Sequence, residues 1–254
     1  MGPICQDLAD EHAALDAIVA DLTETGWATP TPAAGWDVRD TIVHIVQADE
    51  AGYLAVADAA GFERAKEAVM SGGLEAFGSG RGRSGAETLA WWRDTRGAML
   101  AAFAPLGGKD RIPWFGPSMS ALSFATARLM ETWAHGQDVA TALGVQIEPT
   151  DRLRHVAHIG ITTRGWSYVN RGRSVPDGPV RVELTAPSGT TWSWGPQDAP
   201  DRITGSALEF CLVVTQRLSV EATALQTSGA AAQEWMQLAQ AFAGPATLTD
   251  DLRS

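Results

Sequence analysis

Residues 128–138 of the chain read RLMETWAHGQD and lie within a long predicted helix. Glu131 and His135 are four residues apart, so on a helix their side chains share one face, with Cβ atoms about 5–6 Å apart. This spacing suits two ligands of a single cation. Arg128 and Asp138 lie on the same face of the predicted helix.

A histidine in a second helical stretch can supply a third ligand. Residues 35–44 read GWDVRDTIVH, and Asp37 with Asp40 has the spacing of a capping box at the start of a helix. The helix then begins at Val38, and His44 lies about two turns into it. Two histidines, one glutamate and an open fourth position form a known type of catalytic zinc site.

The spacing alone leaves a simpler interpretation open. A glutamate and a histidine four residues apart are often only a weak pair on a solvated helix face, and Arg128 and Asp138 would suit such a face. His44 lies between two apolar residues, as a histidine of the core would. If a metal is bound, His12 and Cys5 of the first helix are spare candidate ligands.

Apolar residues at helical spacing predict a bundle in the first part of the chain. Ser84 and Glu87 form a second capping box, and Gly144 is typical of the residue just past a helix end. Between 71 and 85 the chain is rich in Gly, Ser and Arg, which predicts a loop. Four long helices and one shorter helix are predicted at 4–24, 38–60, 84–104 and 119–143, and at 62–70.

The pattern changes after residue 150. Alternating apolar residues predict strands at 180–186 and 190–194, with Pro187-Ser188-Gly189 as a hairpin turn. Helices are predicted at 151–170, 205–219 and 230–242. The predicted fold class is therefore mainly α with an α+β second domain, in which a four-helix bundle (1–150) precedes a small α+β domain (151–254).

Composition narrows the classes of partner and compartment. The net charge is −11, from 19 basic and 30 acidic residues, and no basic run offers a phosphate-binding surface, so nucleic acid is excluded as a main partner. No stretch is apolar enough to span a membrane, and no secretory signal is recognisable. Cys5 and Cys211 are too few for a disulfide framework. We expect a cytoplasmic protein without a membrane partner, either a monomer or a homodimer.

Two motifs together carry a family resemblance. The pattern WxVRDxxxH occurs at 36–44, and ExWxHGxD follows at 131–138. In this order they resemble the mycothiol-dependent maleylpyruvate isomerases, which belong to the wider DinB-like metal-binding four-helix bundles. The resemblance extends well over residues 1–150 and more loosely over 151–254.

The resemblance implies a metal and a thiol. It implies that His44, Glu131 and His135 bind zinc or another divalent metal. The fourth position would then accept the thiol of mycothiol, the low-molecular-weight thiol of actinobacteria. It also implies that an arginine of the second domain holds an acidic substrate, and Arg217 lies at the matching place. A surface arginine on an amphipathic helix is an equally good interpretation of Arg217.

Further residues are assigned supporting roles. Asp138 can orient a ligand histidine from behind, and Asp40 is assigned to the same outer layer. Arg128 and Arg217 are candidates for substrate binding, because a guanidinium pairs well with a carboxylate.

These inferences predict a zinc- and mycothiol-dependent isomerase or thiol transferase that acts on a small electrophilic acid. Two alternatives stay open. An open metal position also suits water activation, as in a hydrolase, and the site would equally serve a non-catalytic metal- or ligand-binding module. Fold alone does not choose among them.

Overall fold

The computed structural model describes residues 1–73, 77–80 and 82–248. Parts of two sequence predictions lie outside these residues, namely 74–76 and 81 of the predicted loop and 249–254 of the predicted second domain. The chain divides into two compact units, Met1–Gln146 and Ile147–Ser254.

Helices make up most of the first unit. Its four longest helices within the described residues contain 18 to 23 residues each. In chain order the elements are α1 (Gly2–Val19), α2 (Glu24–Trp27), α3 (Val38–Ala57), α4 (Ala59–Gly72), α5 (Gly85–Phe103), β1 (Arg111–Ile112), β2 (Met119–Ser120) and α6 (Ala121–Leu143).

The four long helices form the predicted bundle. Helices α1 and α3 each pack against both α5 and α6. Trp27 and Trp92 are almost fully buried between them, and burial of a large apolar side chain contributes about 1.5–3 kcal/mol. An apolar core cluster at one end of the bundle consists of Leu15, Val19, Trp27, Val38, Ile42, Ile45, Val46, Leu89, Trp92 and Val139.

Capping residues fix where two of the helices begin. Asp37 and Asp40 close a capping box at the start of α3, and Ser84 and Glu87 do the same for α5, as predicted. Helix α6 ends before Gly144, whose φ of 66° places it in the left-handed region that glycine adopts without strain.

Three predicted helix boundaries in this unit are wrong. The helices predicted at 38–60 and 62–70 meet instead at Asp58, which leaves the helical conformation and caps α4. The first helix ends at Val19 instead of 24, because Thr23 takes an extended conformation and caps the separate short helix α2. The helix predicted from 119 begins at Ala121, because Met119 and Ser120 pair with β1 as a two-stranded ribbon.

The second unit contains a small mixed sheet with helices. The strand order is β4-β3-β5-β6, in which β3 and β5 are parallel and the other neighbours are antiparallel. The elements are α7 (Leu153–Thr162), α8 (Arg164–Val169), β3 (Val180–Thr185), β4 (Thr191–Trp194), β5 (Asp201–Ser206), α9 (Ala207–Val214), a 3-10 turn (Val220–Ala222), β6 (Gln226–Ser228) and α10 (Ala230–Leu238).

The predicted hairpin of this unit is confirmed, and so is the fold class, mainly α with an α+β second domain. The single helix predicted at 151–170 is wrong, because the chain breaks at Thr163 into α7 and α8. Asp151, which precedes α7, accepts a hydrogen bond from the backbone N–H of Ser188. Strands β5 and β6 were not predicted from the sequence.

The helices of both units are too short or too polar for a lipid bilayer. Within the described ranges, none of them combines the length and the apolar character that a membrane crossing requires.

We predict that Gly85→Ala destabilises the first unit. A Cβ at residue 85 would lie 2.1 Å from Cδ1 of Trp27, a residue that is only 2% exposed. The free energy of unfolding, measured in urea, should fall by about 1–3 kcal/mol.

The matched control is Gly97→Ala in the same helix α5. A Cβ at residue 97 meets no atom within 4 Å, so the better helix propensity of alanine should raise the free energy of unfolding by up to about 1 kcal/mol. Equal effects of the two variants would contradict the packing of Trp27 on the start of α5.

Candidate metal centre

His44 owes its position to the start of α3. The backbone N–H of Asp40 donates to Asp37 Oδ1 at 2.8 Å, and the backbone N–H of Asp37 donates to Asp40 Oδ2 at 3.2 Å. These bonds fix the phase of α3 two turns before His44. Asp40 was predicted to support the metal ligands. It is exposed, and its carboxylate accepts the hydrogen bond from the backbone N–H of Asp37 at the start of α3.

The three predicted ligands meet between α3 and α6. One donor atom each from His44, Glu131 and His135 lies within 4.8 Å of the other two, and all three side chains are partly buried. His135 Nε2 is 3.4 Å from Glu131 Oε2, and the centroids of the two imidazole rings are 4.9 Å apart. Among the described residues this is the one group of three or more His, Cys, Asp or Glu side chains with such spacing.

Asp138 lies behind one of the histidines. Its Oδ2 atom is 3.2 Å from His135 Nδ1, one helical turn further along α6. A carboxylate in this place holds the proton on Nδ1 and leaves Nε2 as the nitrogen that can bind a metal. The opposite nitrogen therefore faces Glu131, in the arrangement that a shared cation needs.

Trp36 covers the two histidines from the loop before α3. Its ring centroid is 5.1 Å from that of His44 and 6.0 Å from that of His135, with which it is nearly parallel. The backbone turns just before it at Gly35, whose φ is 77°. A residue with a Cβ is strained in that conformation, so the glycine lets the indole face the histidines.

The charge of Glu131 matches the role of a ligand. Burial by itself would raise the pKa of Glu131, but the contact with His135 and the charges of Arg128 and His44 lower that pKa to about 2. The carboxylate is therefore ionised at neutral pH, as metal binding requires.

These observations contradict the simpler interpretation of a solvated face on α6. Arg128 is 4% exposed and Asp138 is 6% exposed, so this face looks into the bundle. Two imidazole nitrogens and a carboxylate oxygen are a donor set that zinc accepts, and three donors leave one position of a four-coordinate shell for a further ligand. The residues present therefore fit a divalent metal such as zinc.

Arg128 makes different contacts from those expected of a substrate-binding residue. Its Nε donates to Asp49 Oδ1 of α3 at 3.0 Å, and Nη2 lies 3.5 Å from the carbonyl oxygen of Ile45. Both side chains of the ion pair are at most 5% exposed. The guanidinium thus joins two helices inside the bundle.

Asp49 was not predicted from the sequence to belong to the site. It is fully buried, and its second oxygen is 3.6 Å from His12 Nε2 of α1. The sequence does contain a signal for its burial. Asp49 lies on the apolar stripe of α3, four residues after Ile45 and three residues before Gly52. His12 and Cys5 were the spare candidate ligands. His12 lies against Asp49, and neither residue belongs to the three-residue cluster.

Arg217 belongs to the second unit. It follows the end of α9, where its backbone N–H donates to the carbonyl oxygen of Leu212 and its Nη1 donates to that of Thr215. Just before it, Gln216 has a φ of 61°, and its buried amide donates to Ala239 and Thr247. The assignment of Arg217 to substrate binding stays a prediction.

Comparison with known families agrees with the architecture of the first unit. The family model described as the mycothiol maleylpyruvate isomerase N-terminal domain matches residues 8–140, which is more than half of the chain. The chain belongs to the mycothiol maleylpyruvate isomerase family. The matched range includes the three clustered side chains and their supports, Trp36 and Asp138.

Relatives and solved structures extend the likeness to both units. Uncharacterized proteins from two strains of Mycobacterium tuberculosis are 46% identical over 248 residues, which covers 96% of this chain and 96% of each relative. The crystal structure of the mycothiol-dependent maleylpyruvate isomerase matches with a TM-score of 0.60 at 13% identity, over 89% of this chain and 92% of that one. At that identity the structural match shows the shared fold of the family.

A second family model matches a shorter segment. The model described as wyosine base formation covers residues 176–227, about one fifth of the chain, within the second unit. Its length is too small to assign the whole chain to that family.

We predict that the buried His12 makes the free energy of unfolding decrease as the pH falls from about 6.5 towards 4. The pKa of His12 is lowered to about 4, chiefly because the imidazole is buried; Asp49 opposes this shift, and the charges of Arg96 and Arg128 add to it. The unfolded chain therefore binds this proton first, near pH 6.5, and stability is lost as the pH falls from there towards 4.

The free energy of unfolding of the wild type, measured in urea with a chelator present, should fall by about 2 kcal/mol more between pH 7.5 and pH 5 than that of His12→Leu. The chelator keeps metal release out of the comparison. An identical loss in both proteins would contradict a buried, neutral His12.

Proposed function

We propose that the protein binds one divalent metal, zinc in the first instance, and uses it with mycothiol in an isomerase or thiol-transfer reaction on a small electrophilic acid. The observation that supports this most directly is the convergence of His44, Glu131 and His135 on one point between α3 and α6. The family supports the same class of chemistry.

His44, Glu131 and His135 would hold the metal. A bound zinc ion favours the thiolate form of a coordinating thiol, so that a nucleophile is available near neutral pH. Asp138 keeps the proton of His135 on Nδ1, and Trp36 packs over both imidazoles. The chain therefore orients the donors and limits the access of water from the side of Trp36.

Mycothiol is proposed as the co-substrate because the family and the structural relative are both named for their dependence on it. In an isomerase, the sulfur of the thiolate adds to one carbon of a cis double bond, the resulting single bond rotates, and elimination of the thiol restores a trans double bond. In a transferase the adduct is released instead. Neither course consumes an oxidant or a reductant.

The substrate is proposed to be an acid. An unsaturated carbon accepts a thiolate readily when it is conjugated to a carbonyl group, and a carboxylate gives the protein a charge to bind. Arg217 is our candidate for that charge, since a guanidinium donates two parallel hydrogen bonds to a carboxylate. The protein is expected to act in the cytoplasm, where such thiols are kept reduced.

We predict about one zinc ion per chain in the purified wild type, measured by elemental analysis after zinc is offered and excess is removed. His44→Ala and His135→Ala should each lose most of this metal, because two remaining ligands bind weakly. His158→Ala is the matched control, since His158 is an exposed histidine of the second unit, and it should retain the metal.

A folded wild type that binds no metal would contradict the proposed metal centre and would favour a helical ligand-binding module. Metal retained in His44→Ala and His135→Ala would place the bound ion elsewhere. Helical content by circular dichroism tells loss of ligands from loss of the fold.

We predict that the loaded protein converts maleylpyruvate only when mycothiol is present. Arg217→Ala should lower kcat/KM roughly 10- to 100-fold, mainly through KM, because a charged hydrogen bond to the carboxylate contributes about 1.5–3 kcal/mol. Arg173→Ala, which removes an exposed arginine paired with Glu234, should leave KM unchanged.

Conversion without any thiol would favour a metal-dependent hydrolase or hydratase over the proposed reaction. Zinc binding without turnover of any electrophilic acid would favour a non-catalytic metal-binding module. An unchanged KM in Arg217→Ala would remove that residue from the proposal and leave the metal centre intact.

A further inference from the structure

A buried polar network lies beside the proposed metal centre. Asp49 of α3 is 0% exposed, and its two carboxylate oxygens face two other helices. Oδ1 accepts from Arg128 Nε of α6 at 3.0 Å, and Oδ2 is 3.6 Å from His12 Nε2 of α1. One carboxylate therefore connects three of the four helices of the bundle.

Stability alone gives a poor reason for this network. Removing two charges from water is costly, and a buried ion pair is often no more stable than apolar side chains of the same volume. The hydrogen bonding of this network is also incomplete. Within the described residues, Oδ2 of Asp49 and both ring nitrogens of His12 have no hydrogen-bond partner. An apolar core at this level of the bundle would avoid these costs.

The position of the ion pair relative to the ligands suggests what it does. On α6, Arg128 lies one turn before Glu131, and on α3 its guanidinium reaches Asp49 and the carbonyl oxygen of Ile45, the residue after His44. The guanidinium is planar and donates in fixed directions, so it sets both the distance and the relative slide of the two helices. On α6 the contact is three residues from Glu131, and on α3 it involves Ile45 and Asp49, one and five residues after His44.

We propose that Arg128 and Asp49 are positioning residues, which hold α3 and α6 at the spacing where His44, Glu131 and His135 can bind one metal ion. This inference rests on the proposed metal centre. His12 closes the network from α1 by occupying the remaining side of Asp49. Its imidazole also packs edge-on against Trp92 of α5, with 5.8 Å between the ring centroids, so that all four helices contribute to the network.

The inference gives Arg128 a role that differs from substrate binding. A guanidinium that is 4% exposed and paired with Asp49 would need to break that pair to reach a substrate. Leaving Asp49 unpaired and buried would disfavour that movement strongly, because an uncompensated charge would remain in the core. Arg128 therefore acts on the reaction through the metal ligands.

The test uses Asp49→Asn and Arg128→Lys in the full chain. Asparagine keeps the shape of Asp49 and removes its charge, whereas lysine keeps the charge of Arg128 and loses the planar fork. Zinc affinity is measured by competition with a chromophoric chelator, and the cobalt(II) derivative is characterised by its visible absorption, which reports the coordination geometry.

Both variants should bind zinc roughly 10- to 100-fold more weakly than the wild type, as expected when groups that support metal ligands are removed. Their cobalt(II) spectra should differ from that of the wild type. Apo-protein stability is measured in urea with a chelator present, so that affinities are compared for the folded fraction alone.

The matched control is Asp16→Asn. Asp16 pairs with Arg93 and Arg96 and so joins α1 to α5, the two helices that carry none of the proposed ligands. It should lose stability while its zinc affinity stays within about twofold of the wild type and its cobalt(II) spectrum is unchanged.

Wild-type zinc affinity and an unchanged cobalt(II) spectrum in folded Asp49→Asn or Arg128→Lys would overturn the inference and leave the metal centre standing. An equal loss of affinity in Asp16→Asn would also overturn it, because any loosening of the bundle would then suffice. If one variant does not fold, the other decides. Failure of the wild type to bind zinc would overturn the proposed function and this inference together.

Discussion

The separation of α3 and α6 is the constraint on which the site of this protein depends. One helix carries His44, and the other carries Glu131 and His135, so the proposed ligand set can form only if the two helices approach at one distance and one rotation. Helix packing by apolar side chains alone tolerates a spread of distances and angles. A buried polar contact such as that between Arg128 and Asp49 is more selective, because a hydrogen bond weakens steeply when its geometry changes.

The interior of the bundle therefore combines two kinds of packing. At one end, an apolar cluster around Trp27 and Trp92 contributes stability through burial. Near the proposed ligands the interior also contains buried charged groups, and some of them contact one another or a proposed ligand. Asp138 is an example, because it is nearly buried yet faces His135 Nδ1. The polar residues form the proposed site, and burial of the apolar side chains offsets the free energy that burial of the polar groups costs.

Much of this could be predicted from the sequence, for reasons that are local. The capping box of Asp37 and Asp40 fixes the start of α3, and four-residue spacing places Glu131 and His135 on one face of α6. Local patterns could not tell which face of α6 meets a partner helix, so a solvated face stayed open until the burial of Arg128 was known. Strand β5 was missed because only Ile203 within it is buried, which leaves no alternating pattern, and because its partner β3 is distant in the sequence.

The order of the three proposed ligands along the chain has a consequence for how the protein matures. His44 is synthesised first, and Glu131 and His135 follow much later, on the last helix of the bundle. A contact over this distance requires loop closure by most of the first unit. A growing chain on the ribosome thus offers isolated imidazoles but no three-donor site until α6 has emerged and docked. For the proposed metal centre, acquisition of the ion would then follow assembly of the helices, and the choice among ions would be made by a folded bundle whose spacing is already set.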